Sequence, residues 1–315
     1  MPSSSLRSFS DPEAYTAAIR AASMEITLAR RGGFTATLAR VDLHRLWMQQ
    51  FSESGPRHFH IGHAPGRAIF SFLTAPGPEV VARGVPMPLD GIARNGIADD
   101  YIHRTSGPIS WGAMSLPAAE MAAAGAVMAG ADLAPRREAS LVTPPPAAMA
   151  KLRRLHAAAG KLAAEASEII EHPEAARGLE QALVAALIGC LASGTDHGAN
   201  SAQRRHEAIM RRFHRALADD PDRAIYLLEL CAAIGVPERT LRACCEEQLG
   251  MGPKRYLLLR RLHLAHQVLR DTEPGGGTVT EIATRFGFWQ FGRFSGAYRA
   301  LFGEPPSATL RRPPG

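Results

Sequence analysis

Cysteine is scarce in this chain of 315 residues: only Cys190, Cys231, Cys244 and Cys245 occur, and none precedes Cys190. They form no CxxC pair and have no histidine at metal-ligand spacing. A zinc ribbon and a disulfide-stapled secreted fold are thereby excluded, and the four thiols read as reduced, small and buried. A P-loop, a GxGxxG and a GxSxG are all missing, which removes the common nucleotide-binding and serine-hydrolase signatures. The N-terminus, MPSSSLRSFSDPEAY, has no apolar core of the kind a secretory signal needs. The longest apolar stretches, near Ala122–Ala131 and Ala182–Ala192, fall short of the roughly 20 residues of a bilayer span. These absences set the expectation of a cytoplasmic protein with no membrane partner, no cofactor and no bound metal.

What is present suits a folded chain of more than one domain. Apolar residues make up 46% and charged residues 21%, far from a disordered composition. The net charge of +6 is unevenly placed: residues 1 to 200 hold 18 basic and 18 acidic side chains, residues 201 to 315 hold 18 and 12. The whole excess therefore lies in the C-terminal third, and it is almost all arginine. Guanidinium is always charged and forks onto two phosphate oxygens, although a solvated surface helix would give the same count.

Along the chain, residues 11 to 31 read as a helix. From Phe34 to about Leu116, short apolar runs (FTATLARVDL, RAIFSFLT, PEVVARGV, YIHRTSGPISWGAMSL) alternate with Gly, Pro and Asn, the pattern of a compact β-sandwich or barrel. Beyond Pro117 an Ala- and Met-rich segment reads as helix, with a breaker at Thr143–Pro146. Two further helices follow, Lys151–Glu171 and Glu174–Leu191, with Pro173 between them. SGTDHGANSA, from Ser193 to Ala202, reads as a flexible linker, and everything after it as helical.

Two segments in the last hundred residues share one design. In IYLLELCAAIGVPERTLRACCEEQLG, Leu227, Leu230 and Cys231 mark a first helix, Gly235 a tight turn, and Pro237 the start of a second helix. On that second helix Leu241, Cys244, Cys245 and Leu249 share one face, while Glu238, Arg239, Arg242 and Glu246 share the other. A recognition helix needs this arrangement, because its N-terminal side chains reach base edges and arginine bonds guanine bidentately. The plain alternative is an αα-hairpin with a polar exterior. In TVTEIATRFGFWQFGRFSGAYRALFG, Thr278 and Glu281 have capping-box spacing, Gly287 makes the turn, and Phe291, Phe294, Tyr298, Leu301 and Phe302 form one stripe that reads as core. The amphipathic stretch Lys254–Leu269 would join the two units.

These residues resemble the AraC/XylS family of bacterial transcription regulators over roughly the last ninety positions. The ordered anchors are Gly235, the LGxxPxxY element (Leu249, Gly250, Pro253, Tyr256), Arg261–Leu262, Gly287–Phe288 and the closing FGxxP (Phe302, Gly303, Pro306). The resemblance implies two helix-turn-helix subdomains on a linking helix, each placing a recognition helix in successive major grooves about 34 Å apart. The chain departs from the family pattern at Cys231, Cys245 and Pro237, and at Gly292 and Gly296, where longer side chains are usual. Direct base reading is therefore expected from Arg239 and Arg242, with Glu238 as a cytosine acceptor, and from Gln290 and Arg293. Lys254, Arg255, Ser295 and Arg299 are expected on phosphates.

The front of the chain resembles, more weakly, the cupin-like sensor domains of that family. His58, His60, His63 and His103 raise the question of a metal, but no glutamate follows at cupin spacing and the reading is none. An apolar effector pocket is expected from Leu46, Phe70, Phe72 and Trp111, with solid core as the alternative. Leu152, Leu155, Leu162, Ile169 and Ile170 form a helical stripe that suits either a dimer contact or packing on the chain's own barrel.

The expected fold is thus an α+β multidomain one: an N-terminal cupin-like β-barrel or sandwich with flanking helices (1–140), a helical connector (141–192), a linker (193–204) and an all-α C-terminal domain (205–315). Within the last lie a first helix-turn-helix (225–250), a linking helix (254–270) and a second helix-turn-helix (278–303). The expected partners are double-stranded operator DNA, RNA polymerase, a small-molecule effector and a second copy of the chain, and the site of action is the bacterial nucleoid. Two rival functions are an architectural DNA-binding protein and a barrel enzyme targeted to DNA. The alkyl-transfer precedent for the latter needs an activated acceptor cysteine, and none lies in the barrel region.

Overall fold

Strands with apolar residues at both parities need cover on both faces, and the N-terminal half meets that need with two sheets and a layer of helices. In the computed structural model, residues 1–20, 22–28, 33–96, 100–220, 223–273 and 276–312 are described. The chain opens with β1 (Ser3–Phe9), α1 (Pro12–Ala18) and β2 (Ala22–Leu28). It continues through β3 (Ala36–Asp42), β4 (Trp47–Glu53), β5 (Arg57–His63), β6 (Arg67–Leu73), β7 (Val80–Ala82) and β8 (Val85–Pro86). Then come β9 (Ile92–Arg94), β10 (Asp100–Thr105), β11 (Ile109–Pro117), α2 (Ala118–Ala129), β12 (Ser140–Thr143), α3 (Pro146–Glu165), α4 (Ser167–Glu171), α5 (Pro173–Ser193) and β13 (Thr195–Gly198). The C-terminal region is all helix: α6 (Ser201–Ala218), α7 (Leu227–Ile234), α8 (Glu238–Leu249), α9 (Pro253–Asp271), α10 (Val279–Arg285), α11 (Phe291–Phe302) and α12 (Pro306–Leu310).

The larger sheet runs β1-β3-β4-β11-β6-β9-β12-β13 and the smaller β2-β5-β10-β7-β8. Their facing sides enclose Phe9, Tyr15, Phe51, Phe59 and Trp111. On its other side the larger sheet buries Val41, Met48, Phe70 and Met114 against α2, α3 and α5. Strand β6 shows the consequence: Ala68, Ile69, Phe70, Phe72 and Leu73 are all buried, an apolar run broken only at Ser71, as suits a strand covered twice. Helix α3 comes so close to β11 that a Cβ on Gly112 would meet His156 Cε1 at 2.6 Å. His156 itself is fully buried and its Nε2 lies 3.2 Å from the Gln49 carbonyl.

Three sequence expectations are corrected. Residues 11 to 31 are not one helix: α1 stops at Ala18, and Ala22–Leu28 is a strand paired with β5 from Ala22↔His63 to Leu28↔Arg57. Ala21 and residues 29–31, part of that expectation, lie outside the described residues. Within Ser193–Ala202, residues Thr195–Gly198 pair antiparallel with β12, so the polar stretch holds an edge strand. The apolar segment near Ala182–Ala192 belongs to a 21-residue helix, α5, long and apolar enough by length and composition to cross a membrane. Its Leu183, Ala186, Leu187, Cys190 and Leu191 are instead buried in the N-terminal core.

Candidate nucleic-acid interface

In the first paired-helix unit, α7 ends at Gly235, whose φ of 65° lies in the left-handed region that glycine adopts without strain. The Val236 amide then donates to the Cys231 carbonyl at 3.2 Å and closes the turn. Helix α8 buries Leu241, Cys244, Cys245 and Leu249. Burial pushes the Cys245 thiol well above its usual range, so it stays a protonated apolar group. The opposite face leaves Arg239 and Arg242 exposed. Glu238 is held by both Arg242 at 3.3 Å and Lys254 at 3.4 Å, so a cytosine would have to compete with two cations for it.

The second unit opens with the expected capping box: Glu281 N–H donates to Thr278 Oγ1 at 3.2 Å and Thr278 N–H to Glu281 Oε2 at 2.8 Å. Those hydrogen bonds hold the Glu281 carboxyl below its ordinary range. Gly287 turns at φ 75°, and a Cβ there would stand 2.7 Å from the Tyr226 hydroxyl. Gly287→Ala is expected to cost about 1–2 kcal/mol from backbone strain alone, plus the clash. A thermal melt unchanged in midpoint would contradict this.

Helix α11 is fixed from behind. The Tyr298 hydroxyl donates to Thr309 Oγ1 at 2.8 Å and lies 2.6 Å from His266 Nδ1 on α9, while the His266 ring stacks on Phe302 at 4.1 Å. Phe294, Tyr298 and Leu301 are buried, so the aromatic stripe is core, with Phe291 left 42% exposed at its start. Between the units, Arg261 lies over the rings of Tyr226 and Phe288 at 5.7 and 5.1 Å. Arg261 thus joins α9 to both units, which gives the Arg261–Leu262 step of the sequence a packing task.

The sequence-predicted contact residues fall on two outward surfaces. Lys254 and Arg255 are exposed at the start of α9; Arg293 and Arg299 are exposed on α11, with Gln290 and Ser295 partly buried. The residues that cap α8 and α11, Pro237 and Gln290, make no side-chain hydrogen bond to the first amides of their helices. Trp289 was missed by periodicity, because it precedes α11; it is 78% exposed beside Gln290.

The C-terminal domain leans on the smaller sheet. His58 Nε2 donates to the Leu249 carbonyl, the last residue of α8, at 2.6 Å. His60 stacks on His214 of α6 at 4.2 Å, and Ile102 of β10 joins the core of the first helix pair. Burial holds both His58 and His214 below the ordinary imidazole range, so both are neutral near pH 7. Arg270 of α9 pairs with Asp11 at 2.7 Å and with Glu13 beside it.

Of the four histidines weighed for a metal, His58 and His60 thus face the C-terminal domain, and His103 is buried near Phe59 and Trp111. His63 packs near Tyr101. A cavity of about 150 Å³ lies at the edge of the two sheets, lined by Phe72, Tyr101, His103 and Trp111 together with His197 of β13 and Gln203 of α6. Phe72 and Trp111 belong to that lining; Leu46 and Phe70 sit in the core beneath α3 and α5.

Residues 230–312 match the family described as a helix-turn-helix domain. The chain is 41% identical over 81 residues to a probable thc operon regulatory protein of Rhodococcus erythropolis, covering 26% of this chain and 24% of that protein. It is 36% identical over 96 residues to XylDLEGF operon transcriptional activator 3 of Pseudomonas putida, covering 30% and 29%. A solved probable AraC family transcriptional regulator from Rhodopseudomonas palustris is 32% identical, covering 33% of this chain and 95% of the other with a TM-score of 0.30. The chain thus spans under a third of the length of these two curated relatives.

Proposed function

We propose, from the premise that the C-terminal domain belongs to the AraC/XylS family of helix-turn-helix regulators, that the whole protein is a sequence-specific transcription regulator acting on operator DNA. One observation carries the reading: two helix pairs, joined by α9 and wedged by Arg261, each present a second helix with a buried inner face and an exposed outer one. Such helices fit the major groove, where N-terminal side chains reach base edges.

Arg239 and Arg242 are the principal base readers in this proposal. Gln290 and Arg293 reach bases in the second site, and Lys254, Arg255, Ser295 and Arg299 hold phosphates. Arg239→Ala or Arg242→Ala is expected to weaken operator binding by about 1–3 kcal/mol and to relax specificity at one base step. Selection from a random duplex pool tests both the reading and the assignment. A folded chain that enriches no sequence at low salt defeats the regulator reading. Enriched motifs identical for wild type and both variants defeat only the division of labour.

The N-terminal domain is read as the sensor, with the cavity beside Phe72 and Trp111 as the effector site. Its volume suits a molecule of about benzene size. Asn95 Nδ2 and Trp111 Nε1, both buried in its lining residues and without a hydrogen-bond partner among the described residues, favour a ligand that carries an acceptor oxygen. The working division is 1–140 for sensing, 141–192 as connector and 205–315 for DNA, with 193–204 as a structured junction that carries β13 and the start of α6. Self-association through α3–α5 and contact with RNA polymerase belong to the same proposal, as does a place of action on the nucleoid. Ile169, 45% exposed, is the apolar side chain of that helical stripe available to a second copy.

A further inference from the structure

The chain holds three tryptophans, and two have evident structural tasks. Trp111 is buried and stacks on Phe51 with ring centroids 3.8 Å apart. Trp47 lies under the guanidinium groups of Arg20 and Arg67, at 4.7 and 3.5 Å. Trp289 differs from both, since it is 78% exposed while its neighbour Phe288 packs on Phe294 at 4.7 Å. Tryptophan is highly buried on average, and an exposed apolar surface this large on a well-packed domain asks for a task.

Its position names one. Gln290 is the cap of α11, so Trp289 stands at the mouth of the second recognition helix, where side chains meet base edges. Along the first two turns of α11, Gly292 and Gly296 are exposed, with open space where a Cβ would lie. At those two positions the helix face is bare backbone, which lets it approach a groove floor closely and leaves base reading to Arg293 and the leading end. Trp289 and the half-exposed Phe291 supply apolar surface at that end. The major groove offers one apolar feature to such a surface, the C5 methyl of thymine.

We propose that Trp289 reads thymine, packing its indole on C5 methyl groups in the major-groove site entered by α11. This assignment rests on the regulator reading above. It gives the second unit a source of sequence preference that needs no long side chain at 292 or 296.

The test uses the full chain and the duplex enriched from a random pool, with each thymine of the second half-site replaced in turn by uracil, which lacks only the methyl. Wild type is expected to lose about four-fold in affinity at one or two of those positions, the value of one buried methyl-sized group. Trp289→Ala is expected to bind the thymine duplex more weakly and to treat thymine and uracil alike. Emission from Trp289 is expected to be quenched on binding, and Trp289→Phe to abolish that change while the signals of Trp47 and Trp111 persist.

A Trp289→Ala chain with an unaltered melt, unaltered affinity and unaltered uracil profile overturns the proposal. So does a uniform weakening on every duplex with thymine preference intact, which would place the indole on the sugar-phosphate backbone. If wild type enriches no duplex at all, this proposal and the regulator reading fall together; an enriched duplex with no effect at Trp289 sinks this one alone.

Discussion

Glu53→Leu is expected to lower the stability of the N-terminal domain by about 3–5 kcal/mol, because it strands a buried arginine. Arg57 and Glu53 both have fully buried side chains in the β4–β5 hairpin. Arg57 Nε donates to Glu53 Oε2 at 2.9 Å, Nη2 donates to the same oxygen, and Nη1 donates to the carbonyls of Ser54 and Gly55. The other carboxylate oxygen, Oε1, accepts from the Tyr15 hydroxyl of α1. Burial first, and the Glu53 charge second, push the Tyr15 phenol well above its ordinary range, so it remains a donor at any working pH. With leucine at position 53 the guanidinium keeps its carbonyl acceptors but loses its counter-charge. Replacing both partners, as Glu53→Leu with Arg57→Met, is expected to recover much of the loss, since no uncompensated charge then remains. Urea unfolding of the three chains decides it: a single variant within 1 kcal/mol of wild type, or a double variant no better than the single, contradicts the account.

Acid is expected to unfold the N-terminal domain well above the carboxylate range. Burial lowers His103 to about 3 and His156 to about 4, against 6.5 in a solvated chain. The sign follows from proton counting: below pH 6.5 the unfolded chain takes up a proton on each ring and the native one does not. Stability is therefore full above pH 6.5 and falls as pH drops towards the folded values, by about 1.4 kcal/mol per unit per histidine. Between pH 6.5 and 5.0 the two rings together cost about 3 kcal/mol. His58 and His214 act in the same direction where the smaller sheet meets the C-terminal domain. Melting temperatures measured at pH 7.5, 6.0 and 5.0 should fall steadily, and His156→Gln should flatten the slope. A flat profile for wild type would refute the claim.

The helix pairs were legible because everything that builds them is local. Thr278 and Glu281 are three residues apart, Gly235 and Gly287 sit at the turns they make, and the inner faces repeat at helical spacing. Strand β2 was missed for the opposite reason. Its partner β5 lies some thirty residues on, and nothing inside SMEITL says which neighbour it will find. The polar residues of β13 carry no apolar alternation, since an edge strand can be held by backbone pairing alone. Among the pocket residues, strand pattern could say that Phe70 points into the domain. It could not say which of two covered faces receives it, and that face lies under α3 and α5. Trp289 escaped notice because it falls between one helix and the next, where periodicity is silent.

One carbonyl joins the two domains. The oxygen of Leu249, one of the terminal carbonyls that the helix itself leaves without a donor, accepts the hydrogen bond of His58 from the smaller sheet at the end of the helix that would lie in the groove. In the regulator proposed above, a shift of that sheet would be felt at the end of the reading helix, and a helix drawn into the groove would be felt at the sheet. Thermodynamics makes the exchange reciprocal: any small molecule that alters operator affinity through this joint must itself be bound more or less tightly, by the same factor, once the operator is in place.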